Sequence, residues 1–384
     1  MSYEDRISTT VDEIEILLDG LPPEISIFLW GPPGIGKSTV IKQYVKKKAK
    51  ELKRNFGFND LRLSTMDPTD LRGLPWVDKE NNLARWAEPS MLPHTGKNGK
   101  DPKEGILFLD ELPNAHPTIQ SAALQLTFDR KSGEYEVPEG WRVIAAGNRI
   151  QDMSGAFQML RSLNNRFIHF EIVADKRVWI NWAIESALHP DVIGFISNNP
   201  DALAPQPTNA TDSMRREFAS PRTWEFTSKI LQSSLFTTSP KMAQKAIMGA
   251  IGAAWARQFI TWQELKDHLP DNDGIFVQGE KLPLPTEIHF QFAFYSSVCS
   301  YIDMKVSENP KIKSDKKFME GLAYILSELP NPEFKELILR HLSAHHKFLI
   351  TGLMTDVNTA KTITRLFSDL GLASIFTSIN KKAV

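Results

Sequence analysis

Residues 25–38 read ISIFLW followed at once by GPPGIGKS, and residues 39–54 continue as TVIKQYVKKKAKELKR. The first six are a short apolar run with almost no polar alternation, as expected of a strand covered on both faces. Gly31 to Ser38 fits the pattern G-x-x-x-x-G-K-[ST] in full. Glycines suit this position because the backbone must curl until successive N–H groups point inward, at the oxygens of a phosphate. The following stretch predicts a helix with a basic outer face, whose N-terminal dipole adds positive potential at the same point. Gly31, Pro32, Pro33, Gly34, Ile35, Gly36, Lys37, Ser38 and Thr39 are therefore the candidate phosphate cradle. Lys37 is placed to reach β- and γ-phosphates, and the Ser38 hydroxyl to ligate Mg²⁺.

A second acidic signal supports the first. ILFLDE ends in Asp110 and Glu111, an apolar run leading into two carboxylates at the C-terminal end of a predicted strand, where open α/β sheets place their ligand chemistry. Asp110 is the candidate second Mg²⁺ ligand, and Glu111 the general base for an attacking water. Further strands are predicted at 61–66, 141–146 and 167–172, with helices at 11–18 and 118–130. Strands alternating with helices imply a largely parallel α/β sheet. From about residue 174 the pattern becomes helical, with helices expected at 176–188, 191–198, 221–234, 240–257, 286–303, 314–328 and 332–349. Pro-rich breaks at 200–207 and 280–285 separate groups of them.

Composition narrows the setting. The chain has 384 residues, 45 Lys plus Arg against 46 Asp plus Glu, and a single cysteine, Cys299. That length favours more than one domain. Near-neutral charge argues against a strongly basic nucleic-acid binder. One cysteine rules out an intrachain disulfide or a cysteine-rich zinc module and fits a reducing compartment. No apolar run approaches a membrane span, and the first residues lack the basic-then-apolar character of a signal peptide. The expectation is a soluble, cytoplasmic protein. Lys46, Lys47, Lys48, Lys50, Lys53 and Arg54 are read as a solvated helix face. His341, His345 and His346 are read as structural or surface histidines, because no third ligand or H-E-x-x-H pattern accompanies them.

With both motifs placed, the sequence resembles an AAA+ ATPase, most closely the MoxR-type and dynein-related branch as known in bacteria and phages. DPTDLRGLP at 67–75 resembles the branch's segment after the second strand, and WAEPSMLP at 86–93 its Trp- and Pro-rich stretch. ELPNAHPTIQSAALQL at 111–126 is similar to the helix after the acidic pair. GEYEVPEGWRVIAAGNR at 133–149 resembles a β-hairpin and strand ending in the polar sensor 1 residue. SLNNRF at 162–167 resembles the arginine-finger segment, and SPRTWE at 220–225 the sensor 2 segment. The resemblance covers about residues 20–260.

It implies a P-loop NTPase core with a parallel five-stranded sheet over residues 1–174, a helical lid domain over 175–280 and a helical C-terminal extension over 281–384. It makes Asn148 the sensor 1 residue, Arg166 the finger acting on a neighbouring subunit's nucleotide, with Arg161 a second candidate, and Arg222 the sensor 2 residue. ATP and Mg²⁺ are the implied cofactors, and a homo-oligomeric ring, most simply a hexamer, the implied assembly. The implied output is remodelling or chaperone-like maturation of a protein client, in this branch often one with a von Willebrand A-type domain. A ring motor acting on DNA is the first alternative. Glu134, Glu136 and Glu139 in the predicted hairpin at 133–140 are an unfavourable lining for a phosphate backbone. A nucleotide-gated scaffold with little turnover is the second; it would have no need of Glu111.

Overall fold

The computed structural model describes residues 8–95, 101–149, 152, 157, 159–205, 216–355 and 357–371. The chain forms two compact units, one ending at Asp175 and the other beginning at Lys176.

The first unit is built on a parallel sheet. Its elements in chain order are β1 (Ser8–Thr9), α1 (Val11–Gly20), β2 (Ile27–Trp30), α2 (Lys37–Leu52), β3 (Gly57–Arg62), α3 (Pro68–Arg72), β4 (Leu74–Asp78), β5 (Leu83–Ala87) and β6 (Gly105–Asp110). Then follow α4 (Pro117–Thr127), β7 (Lys131–Ser132), β8 (Tyr135–Glu136), β9 (Trp141–Gly147), α5 (Arg161–Asn164) and β10 (Ile168–Ile172). The sheet has six strands in the order β1-β10-β2-β9-β6-β3, every neighbouring pair parallel. The expected five-stranded parallel core is present, and the two-residue β1 adds a short edge beyond it. Burial explains the order. Every residue of β6 and β9 is buried, and so are Ile27, Phe28 and Leu29 of β2, so the most apolar strands take the centre.

The strand expected at 61–66 lies four residues earlier, at Gly57–Arg62. It is the edge strand, and its mixed sequence GFNDLR hides it from a search for apolar runs. Leu63–Thr65 instead form a single 3₁₀ turn. The segment 74–87, where the sequence predicts no strand, is an antiparallel ribbon of β4 with β5. It leaves Leu74, Trp76, Val77 and Leu83 about half or more exposed. The hairpin expected at 133–140 is shorter and earlier, pairing Lys131 with Glu136 and Ser132 with Tyr135.

The second unit is helical: α6 (Lys176–Glu185), α7 (Pro190–Asn198), α8 (Pro221–Gln232), α9 (Ser234–Thr238), α10 (Pro240–Ile251), α11 (Ala253–Glu264), α12 (Ile288–Glu308), α13 (Lys316–Glu328), α14 (Pro332–His345), α15 (Lys347–Leu353) and α16 (Val357–Asp369). One hydrophobic cluster runs from Trp179 to Phe367. At its centre Phe195, Trp224, Phe259 and Trp262 pack edge-to-face and tilted, and Trp224 Nε1 donates to the Ala202 carbonyl at 2.7 Å. Two expected helices are broken. The 240–257 stretch divides at Gly252, whose φ of +80° belongs to a helix stop. The 332–349 stretch divides at His346, which leaves helical geometry at φ −132°. Among the described residues no helix is long and apolar enough to cross a membrane.

Candidate active site

Strand register decides what meets what. Trp30 lies opposite Gly147 in β9, and Arg62 opposite Asp110 in β6. The residues that follow these strand ends therefore emerge at one edge of the sheet. After Trp30 the chain turns through Gly31–Gly36 and enters α2 at Lys37. Gly36 has φ +110°, a conformation that a side chain at this position would strain. The turn leaves the first N–H groups of a sixteen-residue helix without intrahelical partners.

Lys37 is almost fully buried. Its Nζ donates to the carbonyls of Gly31 at 2.7 Å and Pro32 at 3.1 Å, and to Asn148 Oδ1 at 2.8 Å. The Ser38 hydroxyl donates to Asp110 Oδ2 at 2.9 Å. Five of the sequence candidates are thus assembled: the loop, Lys37, Ser38, Asp110 and Asn148. Burial raises the Asp110 carboxyl from its ordinary pKa, against the hydrogen bonds from Ser38 and from the Glu111 N–H. A buried carboxylate facing a hydroxyl, in a place that disfavours its negative charge, fits a divalent cation: two hard oxygens converge, and positive charge would offset the desolvation.

Glu111 sits beside this group but faces elsewhere. Its backbone is left-handed at φ +58°, uncommon for a residue with a side chain and a mark of functional sites. Its carboxylate accepts from the Ser64 hydroxyl and lies 3.7 Å from Arg62 Nε. Neither partner was foreseen, because 61–66 was read as a continuous strand; the 3₁₀ turn is what lifts Ser64 toward Glu111.

Other supports are also invisible to motif matching. Gly147 precedes Asn148, and a Cβ there would stand 2.3 Å from the Pro113 ring, so close packing of β9 on the loop after Glu111 requires glycine. Arg149 pairs with Asp152 at 2.8 Å and with Glu171 of β10, pinning the chain just past Asn148. Trp30 Nε1 donates to His169 Nδ1 at 2.9 Å, and His169 Nε2 to the Asn164 carbonyl at 2.7 Å. That imidazole links the strand before the phosphate loop to α5.

Of the candidate arginines in the first unit, Arg166 is engaged away from the assembled group. Arg166 donates to the Leu124 carbonyl at 2.9 Å, lies 3.5 Å from Asp129 and stacks over Phe128. Arg161 is exposed at the start of α5. Arg222 is exposed in the first turn of α8, behind Pro221 and a Ser220 cap that accepts from the Thr223 N–H.

Residues 26–167 match the family model of the AAA domain, dynein-related subfamily. Among curated proteins none matches the chain. Solved structures that resemble it include NtrX from Brucella abortus in complex with ATP, 14% identical over 92% of this chain and 68% of that one, TM-score 0.36. A mutant RuvB from Thermotoga maritima is 14% identical over 70% and 73%, TM-score 0.34. A DNA polymerase III gamma subunit-related protein from Thermotoga maritima is 12% identical over 97% and 98%, TM-score 0.30. Scores this low carry no function across. The matched segment contains the loop, the acidic pair and Asn148: the chain carries an AAA+ ATPase domain.

Proposed function

We propose that this protein is a MoxR-like AAA+ ATPase that hydrolyses ATP with Mg²⁺ in a homo-oligomeric ring, most simply a hexamer, in the cytoplasm, and uses the cycle to remodel or mature a protein client. The observation that carries the reading is the convergence of Lys37, Ser38, Asp110 and Asn148 at one sheet edge. Lys37 would exchange its carbonyl partners for β- and γ-phosphate oxygens. Ser38 and Asp110 would hold Mg²⁺, whose charge offsets that of the phosphates when bound. Glu111 would leave Ser64 and Arg62, then orient and deprotonate the attacking water. Asn148 offers both an acceptor and a donor on a strand end fixed by Arg149, which suits it to hold water and γ-phosphate together. Arg222 would sense nucleotide within its own subunit. Arg166, or Arg161, would act on the neighbour's nucleotide, since a guanidinium stays charged and forks onto phosphate oxygens.

A protein client is favoured by the β4–β5 ribbon. Leu74, Trp76 and Leu83 lie on one face of this ribbon and Val77 on the other by strand alternation. All four are exposed, and large exposed apolar side chains suit a protein contact and offer a phosphate backbone nothing. A client domain of the von Willebrand A type is the proposal that the MoxR resemblance adds. The test is phosphate release by the purified chain. Release should require Mg²⁺ and vanish with Lys37→Ala; activity that survives either removal would refute the site.

A further inference from the structure

Outside the phosphate site, three side chains of the second unit converge on one point. Asp303 Oδ1, on α12, accepts from His341 Nε2 at 2.8 Å and from His346 Nε2 at 2.5 Å. The three potential ligand atoms lie within 4.8 Å of one another. Helical spacing alone puts His341 and His345, four residues apart, on one face. In the structure it is His341 and His346, not His345, that share the Asp303 carboxylate. Positions five apart on a continuous helix diverge by about 140°, but α14 ends at His345, and the turn at His346 brings its ring back. His345 itself donates through Nε2 to the Ile184 carbonyl at 2.5 Å.

The donor set selects the kind of ion. Two imidazole nitrogens and one carboxylate oxygen suit zinc and the neighbouring late first-row divalent ions, whereas Mg²⁺ and Ca²⁺ prefer oxygen alone. An ion about 2.0–2.2 Å from each donor in tetrahedral geometry separates the donors by roughly 3.3 Å. The two carboxylate–imidazole spacings fall short of that by less than an ångström, and Asp303, 40% exposed against 3% for His341 and 12% for His346, has room to withdraw. The same exposure supplies an entry path and a place for a water as fourth ligand. His341 Nδ1 has no hydrogen-bond partner among the described residues, so no donor on that side opposes the tautomer that carries the hydrogen on Nδ1 and leaves the Nε2 lone pair free for a metal. The geometry points to a zinc-class divalent cation site formed by Asp303, His341 and His346, which ties α12 to the corner between α14 and α15. It lies in the region that the family resemblance does not reach.

The test uses the full-length chain, stripped of metal and held free of nucleotide and Mg²⁺, with Zn²⁺ alone as probe. Equilibrium dialysis with elemental analysis should find one Zn²⁺ per chain, and the thermal midpoint should rise on binding. Co²⁺ in its place should give the visible absorption of a tetrahedral site. Asp303→Asn and His346→Gln, both at partly exposed positions, should fold as the metal-free parent does by circular dichroism, yet lose at least tenfold in Zn²⁺ affinity, with no midpoint shift. The proposal is overturned if the parent chain takes up no stoichiometric Zn²⁺, or if both variants bind it as well as the parent.

Discussion

Asp110 is the residue at which function and stability pull apart. Its carboxyl is raised chiefly by burial, with the Ser38 and Glu111 hydrogen bonds opposing. A carboxyl whose folded pKa lies above its unfolded one favours folding most when protonated, and that contribution is lost as pH rises through the folded pKa. At neutral pH the ionised Asp110 therefore works against the nucleotide-free fold. Asp110→Asn should raise the thermal midpoint of the metal-free protein at pH 7 and narrow the gain toward acid pH, while abolishing Mg²⁺-dependent turnover. A lower midpoint at pH 7 would contradict this account of the site. At this scale the sequence is legible where chemistry needs a fixed spacing: GPPGIGKS and ILFLDE single out Lys37, Ser38 and Asp110. It was silent on Ser64 and Arg62, because their contact with Glu111 depends on where an edge strand stops.

Among the elements, β9 joins the sheet to the site. Its last residue, Gly147, leaves 2.3 Å between a hypothetical Cβ and Pro113. Gly147→Ala should cost about 1–3 kcal/mol through overpacking and should also lower kcat, because the displaced Pro113 follows Glu111 by two residues; calorimetry and steady-state kinetics check both. In the second unit Trp224 of α8 is fully buried among Phe195 and Phe259 with its N–H satisfied. Trp224→Ala should cost about 3–5 kcal/mol in denaturant unfolding, and a loss under 1 kcal/mol would place the core elsewhere. Central strands were readable because burial on both faces makes them uniformly apolar. The β4–β5 ribbon, with large side chains facing solvent, and the broken helices at Gly252 and His346 were not, since each depends on local backbone geometry that periodicity does not record.

For the whole molecule the open matter is whether the site is complete within one chain. Arg166 is engaged with Leu124, Asp129 and Phe128 of its own chain, and the proposed role at a neighbour's nucleotide requires it to leave them. Arg166→Ala should lower turnover on the order of a thousandfold with ATP affinity nearly unchanged, and mixing it with Lys37→Ala subunits should restore part of the activity. No recovery in the mixture would argue for a self-contained site. The central claim, that Glu111 drives hydrolysis of ATP held by the Lys37 loop, is tested most directly by comparing Glu111→Gln with the parent chain in ATP binding and in single-turnover hydrolysis. The account predicts binding within a few-fold of the parent and a hydrolysis rate lower by roughly a hundredfold or more; an unchanged rate would contradict it.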